Sequence, residues 1–372
     1  MADIVIANVR IDEVVVQHDE QSVRGYFLLI ETSTELIGYF GPMYKPYIAT
    51  YLEVAKKLVG LSPLNTNEIW DVLWSAQLGG RTGLYMEFIS AIDCALWDIK
   101  GKYFNCPVYQ LLGGPINSEV PCYASLLGYD VHADDCASVV RRYHHQGYVI
   151  QKWALRRAHN RDIHDHIQAI NMLLRDVENV KFAFDVLGSW SVREFGTFVH
   201  ALDSRIIERP DKIAWLEEPF PSEMKIDSLS LTTSIALGEH LYNGFEFKEH
   251  LSNACVSIWQ PDIGRCGGIT EAVRILGLAK FFGKTVIPHG HNLYPAVHLA
   301  VAHDQSLLPY LEYHATIEPL RQCFYLNPLE PVQGSISAPT SCGMGVDLDE
   351  SRIQRRRTIA TDSSGGIYED AY

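Results

Sequence analysis

Seven side chains in this sequence are of types that move protons or bind cations, and each stands at or just past the end of a short apolar run. They are Lys152 in VIQKWAL, Asp185 in VKFAFDV, Glu217 in IAWLEEP, Glu239 in SIALGEH, Asp262 in VSIWQPDI, His289 in TVIPHG and Glu312 in PYLEYH. Three of them, Asp185, Glu217 and Glu239, are carboxylates on successive runs. Carboxylates gathered at one point in a low-dielectric site repel strongly, so whatever gathers these needs a cation. Ligation by oxygen alone favours a hard ion, magnesium (Mg2+) above all, with waters and substrate oxygens completing an octahedron. Each acid by itself also reads as a helix cap or a solvated turn. Three on consecutive predicted strands point to the metal.

The elements that must position these side chains follow from the patterning. From about residue 120 onward, short apolar runs alternate with longer helical patterns, the signature of stacked βαβ units around a parallel sheet. With VPCYASLLG, eight such runs occur in roughly two hundred residues, which predicts a closed barrel whose strand carboxyl ends form the active-site face. The first third differs. IVIANVRIDEVVV and GYFLLIETS predict strands, and TYLEVAKKLVG and NEIWDVLWSAQLG predict helices, an α+β unit. GLYMEFISAIDCALWDIKGKYF keeps apolar residues at helical spacing throughout and is broken by NCPVYQLLGG, so one buried helix is expected there. The tail, IQRRRTIATDSSGGIYEDAY, is polar enough for a disordered terminus. The expectation is that it packs along its own subunit or across an oligomer interface.

At 372 residues the chain is long enough for one large domain and a smaller one. Its 47% hydrophobic and 20% charged residues lie in the range of soluble globular proteins, and no run approaches the length of a membrane span. The start, MADIVIANVRIDEVVVQ, lacks a basic segment, an apolar core and a small-residue cleavage site, and reads as a strand. The eight cysteines, Cys94, Cys106, Cys122, Cys136, Cys255, Cys266, Cys323 and Cys342, contain no CxxC pair, so reduced thiols in the cytoplasm are expected. A net charge of −14 argues against nonspecific nucleic-acid or membrane partners, and an anionic substrate would need a local cation.

The motifs FAFDVLGSW, AWLEEP, ALGEH, QPDIGRCGGIT and VIPHG resemble the mandelate racemase branch of the enolase superfamily. GRTGLYMEFISAIDCALWDIKGK with LLGG resembles the signature helix of that branch, LVGLSPLNTNEIW its capping-domain helices and GSISAPTSCGMGVDLD its closing segment, so the likeness covers nearly the whole chain. It implies an α/β fold, a modified (β/α)7β TIM-like barrel (121–330) with an α+β capping domain built from the N-terminal third (1–120) and a C-terminal segment (331–372). It implies that Asp185, Glu217 and Glu239 hold magnesium, with Glu217 chosen over Glu218 as the first Glu of the EEP motif. Asp262 and His289 match the aspartate–histidine dyad. A carboxylate on one imidazole nitrogen fixes the tautomer and raises basicity, leaving the other nitrogen to move a proton. Glu312 matches the donor that helps stabilise the enediolate, for which it would be protonated.

The departures from the family pattern bear on the reaction. Racemases and lactonising enzymes of the branch carry Lys-x-Lys on the second barrel strand; here Lys152 occupies the first position and Ala154 the second. Without a base on that face, one histidine that removes the α-proton and then helps the β-hydroxyl leave is the simpler scheme. The implied activity is an acid-sugar dehydratase, a hydro-lyase, and QKWALR with GEHLYNGFEF resembles the subgroup that includes L-rhamnonate dehydratase. Leu187 stands where some sugar-acid dehydratases carry a histidine, which leaves His289 as base and then acid. The rivals are a racemase, epimerase or cycloisomerase of the same superfamily and a noncatalytic sugar-acid sensor.

Lys152 either neutralises the substrate carboxylate or forms a buried salt bridge to Asp185 or Glu217. His240 and Tyr242 are further candidates for substrate contact, with hydrogen-bonded scaffold the alternative. His18, Tyr44, Lys45 and Arg81 lie where specificity loops of the family fall, and surface loops carry such function. His159, His164 and His166 lack the spacing of a zinc site. The glycines of GGRTG and RCGGIT lack dinucleotide spacing. The implied partner is a small sugar-acid substrate, and the implied assembly a homo-oligomer, octamer or dimer.

Overall fold

Every second residue of a strand faces the same way, and that period alone builds both sheets of this protein. In the computed structural model, which describes residues 4–43, 45, 47–78, 80–155, 162–206, 212–221, 233–361 and 367–368, the first sheet is formed from both ends of the chain. Strands β1 (Ile6–His18), β2 (Gln21–Thr32) and β3 (Ile37–Met43) are joined by β13 (Ile353–Thr361) and β14 (Ile367–Tyr368) in the order β14-β13-β1-β2-β3, every pairing antiparallel. The tail, polar by composition, is thus held in part as a strand on its own subunit. Arg355 and Arg357 reach the buried carboxylate of Glu13 on β1, at 2.8 and 3.0 Å. Residues 362–366 and 369–372 lie outside the described set.

The second sheet runs β10 (Thr285–Val286), β9 (Val256–Trp259), β8 (Ile235–Leu237), β7 (Ile213–Glu217), β6 (Lys181–Asp185), β5 (Ile150–Ala154), β4 (Glu119–Ser125), β11 (Leu311–His314), and all of these neighbours pair parallel. The seam between β10 and β11 is bridged by the Val286 N–H donating to the Leu307 carbonyl, 2.8 Å. This is the expected α/β barrel, and each of the eight apolar runs contributes a strand. The closing segment does not lead straight to the first sheet: β12 (Ser335–Ser337) first pairs antiparallel with β4.

Helices link and cover these strands: α1 (Leu52–Ala55), α2 (Thr66–Ala76), α3 (Leu84–Tyr103), α4 (Val108–Leu111), α5 (Cys136–His145), α6 (Ile163–Asp176), α7 (Val192–Ile206), α8 (Gly244–Lys248), α9 (Gly268–Phe281), α10 (Leu293–Ala302) and α11 (Glu318–Gln322). The long α3 is buried on most of its surface because it lies between the two sheets' systems. On one side the carboxylate of Asp93 accepts from the Thr270 N–H (2.9 Å) and hydroxyl (2.5 Å) on α9. On the other side β3 passes so close that a Cβ built on Gly38 would fall 2.1 Å from the Ala95 carbonyl oxygen.

The barrel interior is plugged by one inward side chain per strand: Tyr123, Ile150, Ala183, Trp215, Ala236 and Ile258, with Ile287 just past β10 and Tyr310 just before β11. Two residues further along each strand, the pleat points the next layer inward. That layer is Ser125, Lys152, Asp185, Glu217, Gly238, Gln260, His289 and Glu312. A dry apolar plug therefore forms the floor of a polar ring.

The close passage of β3 over α3 yields a stability prediction. Gly38→Ala forces apart elements that cannot yield locally and lowers unfolding free energy by about 1–3 kcal/mol; denaturant titration measures it, and a change within 0.5 kcal/mol, the range of an ordinary surface substitution, refutes the tight contact.

Candidate active site

The polar ring concentrates carboxylates around one buried ammonium. Lys152 is fully buried, and its Nζ lies 2.5 Å from Glu217 Oε1, 2.9 Å from Glu312 Oε1 and 3.5 Å from Asp185 Oδ2. Lys152 thus makes the buried salt bridges to Asp185 and Glu217 that were one of its two expected roles. Asp185 and Glu217 are register partners on β6 and β7. Glu217 also accepts from Trp215 Nε1 (2.9 Å) and Gln260 Nε2 (2.8 Å), both at Oε2. Burial nevertheless pushes its carboxyl up to about 8, against the pull of Lys152 and with Asp185, Glu312 and Glu239 adding repulsion. Asp185 is raised by the same burial and by Glu239 and Glu312.

His289 lies between two carboxylates. Its Nδ1 is 2.9 Å from Asp262 Oδ2 and its Nε2 is 2.8 Å from Glu239 Oε2. Burial disfavours the imidazolium, but Glu239 and Asp262 outweigh it and hold the ring's pKa well above its ordinary value. Asp262 is fixed in turn by the Gly264 N–H and by Asn292 Nδ2, both at 2.8 Å from Oδ1. The expected dyad is thus assembled, with its orientation set from β9.

Glu312 differs from the expectation of a protonated donor. Its Oε1 meets Lys152, and its Oε2 accepts the Gly290 N–H at 2.9 Å across the β10–β11 seam. Burial alone would raise this carboxyl, yet Lys152 and His289 together pull it down to about 2. Glu312 is an ionised acceptor because Lys152 is in contact with it.

One residue beyond the sequence-derived set, Glu218, completes a second carboxylate–imidazole pair with His240. His240 Nδ1 is 2.8 Å from Glu218 Oε2, and its Nε2 is 3.4 Å from Glu239 Oε1. Glu239 is therefore flanked by two imidazoles, each backed by a buried acid. Glu218 has φ of 36° and Leu187 has φ of 54°, left-handed conformations that side chains seldom adopt, and both follow ring carboxylates closely. Gln260, Arg265 and His291 were also not foreseen. Gln260 was readable in principle, since it stands two residues past inward Ile258; Arg265 and His291 reach Asp262 from loops, and no periodicity announces that. Arg265 Nε is 3.5 Å from Asp262 Oδ2, and His291 Nδ1 is 3.9 Å from the same oxygen.

The donor set fits a hard cation. Among the described residues, Asp185 Oδ2 and Glu218 Oε1 are buried and accept no hydrogen bond, and burial, with repulsion from neighbouring acids, keeps the carboxyls of Asp185 and Glu217 raised although Lys152 is close. Among the described residues, the triplets whose ligand atoms all lie within 4.8 Å are Glu218, Glu239, His240 and Asp262, His289, His291. Asp185, Glu217 and Glu239 are spread more widely, with Lys152 against the first two.

The remaining expected contacts are dispersed. Tyr242 is half-buried and its backbone N–H donates to Glu246 Oε2 at 2.7 Å. Arg81 stacks on Trp74, 4.2 Å from the ring centre, and its carbonyl accepts from Asn243. Exposed Lys45 lines a cavity of about 300 Å³ shared with Phe40, Glu87, Asp262, Arg265 and His291, which joins the first sheet to the barrel mouth. The β1–β2 hairpin closes in two residues, and His18 at its end lies 3.9 Å from neighbouring Asp19. Tyr44 and His159 lie outside the described residues. Also among the described residues, no helix is long and apolar enough to cross a membrane.

Two protein-family profiles match the chain: mandelate racemase / muconate lactonizing enzyme, N-terminal domain, over residues 6–113, and enolase C-terminal domain-like, over residues 135–352. D-galactonate dehydratase of Ralstonia nicotianae is 29% identical over 377 aligned positions, covering 94% of this chain and 95% of its own. The crystal structure of 3,6-anhydro-D-galactonate cycloisomerase from Zobellia galactanivorans superposes with a TM-score of 0.78 at 26% identity, covering 94% of this chain and all (100%) of that one. L-talarate dehydratase from Polaromonas sp. JS666, solved with magnesium and L-glucarate, shares the fold with a TM-score of 0.77 at 24% identity, over 96% of this chain and 100% of its own.

The central ammonium generates a prediction. Lys152→Met leaves buried carboxylates without their counterion and lowers stability by on the order of 3 kcal/mol at neutral pH, measured by urea unfolding in chelator so that no metal replaces the charge. Because Lys152 holds Glu312 at about 2, the parent gains from that ionised group above the unfolded value near 4 and loses the gain as pH falls toward 2. The deficit of the variant therefore shrinks below about pH 4; a deficit independent of pH would refute the charge argument.

Proposed function

This chain belongs to the mandelate racemase and muconate lactonizing enzyme family of the enolase superfamily, and from that premise we propose that it is a magnesium-dependent acid-sugar dehydratase. The observation that carries the reading is the pairing of His289 Nδ1 with Asp262 Oδ2 at 2.9 Å, with Nε2 turned toward the carboxylate ring. Asp262 accepts the Nδ1 proton, which leaves Nε2 as the atom that gains and releases a proton. His289 removes the proton α to the substrate carboxylate, giving an enediolate. The same imidazolium then protonates the departing 3-hydroxyl, so that water leaves and the enol relaxes to a 2-keto-3-deoxy sugar acid. Magnesium, when bound by Asp185, Glu217 and Glu239, supplies the Lewis acidity that acidifies the α-carbon and offsets the added negative charge.

The other residues act around that transfer. Lys152 holds Glu312 ionised and Glu217 in position, and Ala154, which pairs with Asp185 in the strand register, offers no second base on that face. His240, with 47% of its side chain exposed and its Nδ1 on Glu218, presents a ring oriented for a substrate hydroxyl. Lys45 lines the cavity at the barrel mouth, where the distal carbons of a sugar acid would lie.

The D-galactonate dehydratase relative supports dehydration of an aldonate-type acid. The cycloisomerase neighbour, at 26% identity, keeps proton transfer without net loss of water as the second reading.

Incubation with a panel of mono- and diacid sugars in deuterated water separates the two. The expected outcome is 2-keto-3-deoxy acid from at least one substrate, and loss of turnover by three orders of magnitude or so in His289→Asn with magnesium binding retained. Product that keeps every hydroxyl but carries deuterium at the α-carbon, or full activity in His289→Asn, overturns the dehydratase.

A further inference from the structure

Outside the barrel mouth, two thiols are brought together where α3 ends. The helix closes with the Cys106 N–H donating to the Gly101 carbonyl (2.9 Å) and the Asn105 N–H to the Lys102 carbonyl (3.1 Å), with Asn105 at φ of 55°. These paired bonds and the left-handed residue between them form a Schellman cap, which fixes the backbone of Cys106. The closing segment is drawn onto this cap. A Cβ on Gly101 would fall 2.6 Å from the Gly343 Cα, so the two backbones touch. Gly343, at φ of 72°, donates to the Cys106 carbonyl and accepts from the Val108 N–H, both at 3.0 Å, which makes Pro107 and Gly343 partners in a parallel bridge.

In that register the preceding residues, Cys106 and Cys342, stand opposite each other. Parallel neighbours lie about 4.8 Å apart, inside the roughly 4.4–6.8 Å that disulfide-linked Cα atoms span. Both side chains are partly exposed, and the Cys342 thiol donates to Asn105 Oδ1 at 3.3 Å. Burial raises the Cys106 thiol above its ordinary range, and the charge next to it is that of Cys342. Other contacts already hold the segments together. The Met344 N–H donates to Asp98 Oδ1 at 2.7 Å, and Lys102 bridges Asp98 (2.8 Å) and Asp347 (2.7 Å).

We propose that Cys106 and Cys342 are a thiol–disulfide exchange site whose bond staples the closing segment to α3. The oxidant is a low-molecular-weight disulfide such as oxidised glutathione. One protein thiolate attacks it, its S–S bond breaks, and one glutathione thiolate leaves and takes up a proton. The second protein thiolate then attacks the protein-bound sulfur of the mixed disulfide and expels the second glutathione. The protein pair loses two protons and two electrons, and the oxidant takes them up to become two thiols. The loop so closed runs most of the chain's length, so the bond acts chiefly by restricting the unfolded state. Neither sulfur belongs to the polar ring, so turnover does not depend on the bond. Because the attacking species is the thiolate, the exchange quickens as pH rises.

The test uses the intact chain, treated with oxidised glutathione at mildly alkaline pH, alkylated and digested without reductant. The expected result is a linked pair of peptides joining Cys106 to Cys342, lighter by two hydrogens, with a melting temperature raised by several degrees and restored by dithiothreitol. Cys342→Ser should instead retain glutathione on Cys106 and show no rise. Alkylated free thiols at both positions, separate glutathione adducts in the parent, or a linked pair with unchanged melting temperature each overturn the staple.

Discussion

Like charges crowded into a low-dielectric ring are the constraint around which this molecule is organised. Asp185, Glu217, Glu239, Asp262 and Glu312 are all buried at one end of the barrel, and Coulomb repulsion among them would be prohibitive without compensation. Lys152 and His289 supply part of it, and they divide the ring between them. Lys152 holds Glu217 and Glu312, while His289 holds Glu239 and Asp262. The pKa directions record the division: Glu312, Glu239 and Asp262 are lowered, while Glu217 and Asp185 stay raised despite Lys152.

What makes such crowding possible is the floor beneath it. The plug of Tyr123, Ile150, Ala183, Trp215, Ala236, Ile258 and Ile287 closes the barrel with apolar packing, so strand pairing and core burial are complete one layer below the charges. Because the pleat has a period of two, the same strands that bury the plug must aim the next inward residues into the ring. Stability and function are separated by two residues along each strand. The strain at Leu187 and Glu218, both in left-handed conformations beyond the strand ends, sits on the functional side of that boundary.

The helix α3 carries the corresponding burden between the sheets. It touches β3 through Gly38, α9 through Asp93 and Thr270, and the closing segment through Gly101, Asp98 and Lys102. A helix engaged on so many sides cannot be amphipathic, which explains why its apolar residues surround its axis rather than forming one stripe. The cavity lined by Lys45, Glu87 and Arg265 opens beside its first turns, so the packing of α3 also shapes the space above the barrel mouth.

The sequence by itself determined the strands and their carboxyl-end acids, because both depend on local period and on residue type. Alternating apolar runs announce β4 to β11, and Asp185, Glu217, His289 and Glu312 stand two residues beyond inward plug residues. It also showed the missing lysine at Ala154. Only the tertiary structure decided who compensates whom. Nothing local says that Lys152 would choose Glu217 and Glu312, that Glu312 would stay ionised, or that His240 would be backed by Glu218. Those are distances between different strands, set by how the barrel closes. The same holds for the tail, whose polar composition suggested disorder until pairing with β1 and the ion pairs to Glu13 gave it a place. Composition reports what a segment can bury; register across the sheet decides what it meets.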